Sequence, residues 1–218
     1  DDIIVGNKAS GFLSVNAAWD AKGQNVYYAL NAYVRKGNEK SRKCVYVVHR
    51  LDQATSGVLI FAKNEQAQAF LKDHWKENRK GYCAVVHGHL PQRSGLFESY
   101  LLEDEKYVVR STKDRVNGKL AQTVYTVVRE TGKFSLVEVD ILTGRKNQIR
   151  VHFAAAGHPV VGDEKYGRPA DARQLLTPLG GPVLATRWQP LAAEHAMALS
   201  TALLGESQID LAEGRPDP

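Results

Sequence analysis

Two β-prone runs, Leu120 to Arg129 and Phe134 to Ile141, constrain this chain more than any other stretch. In the second run Val137, Val139 and Ile141 alternate with other residues, the two-residue period of a strand with one face buried. Thr131-Gly132 between the runs suits a tight connection, and strands joined so closely pair antiparallel. The sheet they begin sets the architecture to which the remaining segments are read.

Val26, Ala29, Leu30, Tyr33 and Val34 recur at helical spacing and stop at Gly37, which predicts a helix there. Asn64 is placed to cap a second helix with Ala67, Phe70, Leu71 and Trp75 on one apolar face. Tyr82 to His87 reads as a strand ending at Gly88, followed by a hairpin-like stretch. TGRKNQIRVHFAAAG is expected to be helical from near Thr143 to Gly157, with Ile149 and Phe153 toward the core and Lys146 and Arg150 on another face at i, i+4. Near the start, Asp1 to Gly6 is a short strand running into Lys8. Cys44 to Val48 and Gly57 to Ala62 are apolar runs with HRLDQATSG between them, so that segment sits on a loop between strands. Residues 169–193, rich in Pro, Gly and Leu, carry no clear pattern, and the chain has no repeat, heptad or low-complexity tract.

At 218 residues and 43% hydrophobic composition, a single globular unit over residues 1–218 is the simplest expectation. No apolar run approaches the roughly 18 to 20 residues that span a bilayer, so no membrane association is expected. Cys44 and Cys83 form no CxxC pair and are expected to be buried thiols in a reducing cytoplasm. The formal charge is +5, but five acids and one Arg fall in Glu194 to Pro218, leaving 28 bases against 19 acids in the first 193 residues. A basic body of this kind suits a polyanionic partner and is also common on ordinary surfaces.

The loop HRLDQATSG gathers His49, Arg50, Asp52, Thr55 and Ser56 into one turn. Alone, Arg50 and Asp52 equally fit a surface ion pair worth under about 1 kcal/mol. The wider pattern resembles a known family. HRLDQATSG at 49–57 is similar to the signature of RluA-type pseudouridine synthases, Asn7-Lys8 with Ser10-Gly11-Phe12 to their opening NKPxGL, and RKGYCAVVHG at 79–88 to their KxYxAxVxG strand. TGRKNQIRVH at 143–152 resembles TGRxHQIRVH, and AAGHPVVGDEKYG at 155–167 resembles GHPIxGDxxYG. Five motifs in order cover residues 1–168.

The resemblance implies an α+β pseudouridine synthase fold, with a mixed, largely antiparallel β-sheet, flanking helices and a central RNA-binding cleft. It implies conversion of uridine to pseudouridine in structured RNA, ribosomal or transfer, a reaction that needs neither cofactor nor metal; no obligatory protein partner is evident in the sequence, and a monomer is expected. Asp52 would be the catalytic carboxylate, Tyr82 the aromatic on which the target uracil stacks, and Arg150 the cation paired with Asp52. An Arg at about 4 Å offsets the cost of enclosing a carboxylate by roughly 4 kcal/mol at an effective dielectric near 20. Stacking of a flipped base is worth about 1 to 3 kcal/mol. Arg50 would help fill the gap left by the extruded nucleotide, and His49 would contact RNA or brace the loop. Lys8, Lys63, Arg145, Lys146, Asn147, Gln148, His152 and Lys165 would surround the cleft and contact RNA.

Two positions depart from the family, Asn147 where His is usual and Ala9 where Pro is usual, and neither is expected to touch the catalytic trio. His87-Gly88-His89, if alternating on a strand, would put two rings on one face without further ligands, which suits a structural pair better than a metal. Phosphate-loop and serine-hydrolase motifs are absent. Two rivals keep the same cleft: an RNA-binding protein or chaperone without chemistry, and a nucleoside hydrolase that releases free uracil.

Overall fold

Backbone hydrogen bonding sorts the strands of the computed structural model into two sheets, over residues 2–15, 25–38, 40–167 and the backbone of 184–186, which are the residues the structure describes. In chain order the elements are β1 (Ile3–Lys8), α1 (Val26–Arg35), β2 (Tyr46–Val47), β3 (Gly57–Ala62), α2 (Glu65–Asp73) and β4 (Gly81–His87). They continue with β5 (Ser94–Glu103), β6 (Val109–Thr112), β7 (Lys119–Thr131), β8 (Phe134–Ile141), α3 (Gln148–Ala155) and β9 (Leu184–Thr186). The smaller sheet has the order β1-β3-β2 and the larger β6-β5-β7-β8-β4-β9. This is the expected α+β architecture, with the strands divided between two sheets and every ladder between named strands antiparallel.

The β7–β8 pair forms as the alternation predicts, with Val127 opposite Val137 and Tyr125 opposite Val139. Their inward residues, with Ala84 and Val86 of β4, make a core that α3 covers through Ile149 and Phe153. A second core joins Val45, Leu51, Leu59 and Phe61 to the apolar side of α1, including Val26, Leu30 and Val34. Tyr82 packs against both cores, so it stands where the two sheets meet. The loop between β2 and β3 opens toward the same junction, and this positions the site.

Several local expectations are corrected. α2 is capped by Asn64 as predicted, through its side chain and Ala67 N–H, but buries no residue: Phe70 is 62% exposed and stacks on His74 instead. Trp75 falls beyond the end of α2 and stacks on His49 at 4.5 Å. α3 starts at Gln148, not near Thr143, because the Gln148 side chain holds the preceding residues as a turn. Its Oε1 accepts from Thr143 Oγ1 and Arg145 N, and its Nε2 donates to Gln122 O and Thr123 Oγ1. Lys146 and Arg150 therefore share no helix face. β4 ends at His87, and Gly88 turns the chain with φ of 75°, so His87 and His89 do not alternate along a strand. Cys44 and Cys83 form no disulfide and are half-buried, less enclosed than expected. The readings of residues 169–193, apart from β9, and of the acidic end lie outside the described residues.

Candidate active site

A cleft of about 920 Å³ lies between the sheets, lined by the HRLD loop, the start of β4 with Tyr82, and residues 144–150. Asp52 enters it from a turn closed by Thr55 N–H on Asp52 O at 3.1 Å. Arg150 comes from the first turn of α3 and donates from Nη1 to Asp52 Oδ2 at 3.3 Å. The rest of its guanidinium grips Asp163, Nε to Oδ2 at 2.7 Å and Nη2 to Oδ1 at 2.8 Å. Although burial opposes its charge, Asp163 and Asp52 hold the guanidinium above its ordinary value. Arg150 also sits over the Tyr166 ring, 5.0 Å from its centroid.

Asn147 supplies a second donor, its Nδ2 lying 2.6 Å from the same Asp52 Oδ2. This overturns the expectation that the departure at 147 stays clear of the catalytic trio. Among the described residues no hydrogen bond reaches Asp52 Oδ1, so one carboxylate oxygen is held by the protein and the other faces the cleft. Tyr82 is the aromatic wall. Burial, followed by the charge of Asp52, pushes its phenol up to about 12, so the hydroxyl is protonated at neutral pH. A carboxylate with one unengaged oxygen, a fixed cation and a flat aromatic face can attack or deprotonate an enclosed heterocycle.

A family model for RNA pseudouridylate synthase matches residues 2–155. The chain belongs to this family. Its relatives include RluA-type synthases. The ribosomal large subunit pseudouridine synthase D of Borreliella burgdorferi is 36% identical over 182 residues, covering 81% of this chain and 55% of that protein. The dual-specificity RNA pseudouridine synthase RluA of Yersinia pestis is 36% identical over 170 residues, 77% of this chain and 79% of that one. The solved structure of human RNA pseudouridylate synthase domain containing 1 superposes with a TM-score of 0.65 at 25% identity, covering 85% of this chain and 73% of that one.

Within this pseudouridylate synthase fold the remaining candidate residues separate clearly. Arg50, Arg145, Lys146, Asn147 and Gln148 line the cleft with Asp52, Tyr82 and Arg150. Arg145 donates through Nε to Leu120 O, and Lys146 is paired with Glu103. Gln148 is buried and spent on the turn it holds. His152 is buried too, with Nδ1 against Thr123 Oγ1 at 2.8 Å and Nε2 against Ser99 Oγ at 3.1 Å. His49 lines the cleft, but its Nε2 accepts from Ile60 N–H at 3.1 Å. Burial lowers both imidazoles to about 4, which makes them neutral braces. Lys8 corrects the expectation most sharply. It is 1% exposed, and its Nζ donates to Ala9 O, Phe12 O and Gln53 O at 3.0, 2.8 and 2.9 Å. Its ammonium ties β1 to the HRLD loop and is spent on backbone carbonyls.

Lys63 is exposed just past the end of β3 that lies away from the HRLD loop, and Lys165 is exposed with Nζ on Tyr107 O at 2.8 Å; neither lines the cleft. The sequence reading missed Asp163 and Tyr166, both inside the GDEKYG segment it had singled out, and the cleft residues Arg79, Lys80, Trp75 and Glu103. Arg79 and Lys80 were legible as bases beside Tyr82. Nothing in the local pattern signalled that Asp163 is buried.

Proposed function

We propose that this chain isomerises uridine to pseudouridine in RNA, with Asp52 as the reacting carboxylate. The observation that carries the reading is the division of labour on that side chain: Oδ2 takes the donors of Arg150 and Asn147, and Oδ1 is left to the cleft. Membership of the family supports the reaction type, and the names of the relatives, a large-subunit ribosomal synthase and a dual-specificity RNA synthase, support RNA, with ribosomal RNA first among the candidates, as substrate.

The target uridine leaves its stack and lies against Tyr82, a face worth about 1 to 3 kcal/mol to a base. Asp52 Oδ1 supplies the lone pair, at C6 of the uracil or at a sugar C–H. The C1′–N1 bond breaks, the base rotates within the cleft, and C1′ joins C5. Asp52 then departs from C6, or returns to the sugar the proton it took; the C5 hydrogen leaves as a proton and N1 gains one, so atoms and electrons balance without a co-reactant. Arg150 sets its cation against the carboxylate, and the neutral Tyr82 hydroxyl is available for proton transfer. Arg50 and Arg145 around the cleft supply cations for phosphates, whereas Arg79 is already paired with Asp140 through Nε and Nη2.

Tritium release from transcripts of ribosomal and transfer RNA labelled at uracil C5 tests the reading. Wild-type protein should release tritium without added metal or cofactor. Asp52→Asn should abolish release and keep RNA affinity within a few fold. Substantial release by that variant removes Asp52 from the chemistry, and free uracil among the products would mean hydrolysis instead.

A further inference from the structure

Asn147 lies in a backbone conformation that most residues avoid, with φ 53° and ψ 22°. Asn tolerates this left-handed region because its short amide can bond locally. At the N-cap position of α3 such an amide would ordinarily take a helix N–H, yet Asn147 makes no capping bond. Its side chain is committed elsewhere. Nδ2 donates to Asp52 Oδ2 at 2.6 Å, and Oδ1 accepts from the Tyr166 hydroxyl at 3.1 Å. The Tyr166 oxygen in turn accepts from Val109 N–H at 3.2 Å.

The chain of bonds runs in one direction, from a β6 amide through a phenol and a carboxamide to the carboxylate. Each link fixes the next. Val109 N–H fills a lone pair of the phenol and directs its proton to Asn147. That donation selects the amide rotamer with its NH₂ toward Asp52, since the flipped rotamer would set an oxygen against a carboxylate. Tyr166 is doubly tied, because Arg150 lies over its ring.

We infer that Asn147 is a positioning residue for the reaction, an uncharged clamp that dedicates Asp52 Oδ2 to the protein and so presents Oδ1 to the uridine. The inference rests on Asp52 being the reacting carboxylate. Arg150 alone has one contact at 3.3 Å to that oxygen, which leaves the carboxylate free to rotate and offer the cation both oxygens. A neutral amide prevents this without adding a second charge to the substrate side and without titrating.

Three substitutions at 147 and one at 166 test it, by tritium release under saturating and limiting RNA together with RNA affinity and thermal melting. Asn147→Gly removes the clamp where glycine suits the backbone. It should lower kcat on the order of 10- to 100-fold, the worth of one charge-assisted hydrogen bond, with KM and melting little changed. Asn147→Asp keeps the shape and sets a like charge against Asp52, and its kcat should fall below that of Asn147→Gly. Tyr166→Phe frees the amide to flip and should give a smaller loss in kcat. Asn147→His should recover part of the Gly loss and add an ionisation in the imidazole range to the pH–rate profile that wild type lacks. Wild-type kcat in Asn147→Gly, or equal losses in the Gly and Asp variants, would overturn the inference. An inactive Asp52→Asn beside a fully active Asn147→Gly sinks the inference alone, whereas an active Asp52→Asn sinks the reading beneath it as well.

Discussion

Arg150 holds Asp163 by two hydrogen bonds, from Nε and Nη2, with the Asp163 side chain 0% exposed. The arginine is thereby anchored from behind, and only its remaining Nη1 edge is offered to Asp52, whose side chain is 31% exposed toward the cleft. A planar fork can serve two carboxylates at once, and a point charge cannot. Arg150→Lys should therefore lose turnover on the order of 100-fold, and it should cost about 3 kcal/mol of stability by leaving a buried carboxylate poorly paired. Tritium release and urea unfolding measure the two effects. A lysine variant of wild-type stability would show that Asp163 does not depend on the fork.

The positions of β3, β7, β8 and α1, and of the HRLD turn, were legible because each depends on short-range periodicity or turn chemistry within about ten residues. The site was legible through its motifs only as far as residue types reveal partners. Lys8 reads as a surface base, since nothing local announces three carbonyls waiting for it. Asn147 meets Asp52 across 95 positions of sequence, and a distance of that kind leaves no periodic trace. The start of α3 was misread because a side chain, Gln148, and not backbone propensity, holds residues 143–147 as a turn.

Lys8 gives a test that separates structural from electrostatic cations. Lys8→Met leaves the carbonyls of Ala9, Phe12 and Gln53 without their donor, beside Asp52. Stability should drop by about 3 kcal/mol and turnover should fall with it. The dependence of RNA affinity on salt should stay unchanged, since no phosphate contact is lost. Arg145→Ala, on the cleft rim, should do the reverse: stability holds, and the slope of log affinity against log salt shrinks by about one. A shallower slope in Lys8→Met would return that lysine to the RNA surface.

Acid should unfold the protein through its neutral histidines. His49 and His152 titrate near 4 in the folded chain against an ordinary 6.5, so between those values the unfolded chain binds protons that the folded chain refuses. Stability must then fall as pH drops from 6.5 to 4, by about 3 kcal/mol for each imidazole over the whole window, and nothing is gained above 6.5. The cause at His49 is visible: protonated Nε2 would point a proton at Ile60 N–H. Urea midpoints at pH 7, 5.5 and 4 measure the slope, which His152→Gln should make shallower. An unchanged slope in that variant would mean that His152 does not resist protonation.

Tyr82 combines packing with a place in the cleft, and the two contributions can be divided. Its ring is half-buried and packs against both cores, so Tyr82→Ala should destabilise by about 2 to 3 kcal/mol, below the usual cost of deleting a fully buried aromatic. Tyr82→Phe keeps the ring, the packing and the flat face for a base. Melting and RNA affinity should stay close to wild type. Its phenol stays protonated because burial and the Asp52 charge both oppose ionisation, so only a proton held at that oxygen is removed. A fall in turnover on the order of 100-fold, the lower range for general acid–base assistance, should follow. Turnover at the wild-type rate in Tyr82→Phe would reduce the residue to a stacking wall and move proton transfer to another group in the cleft.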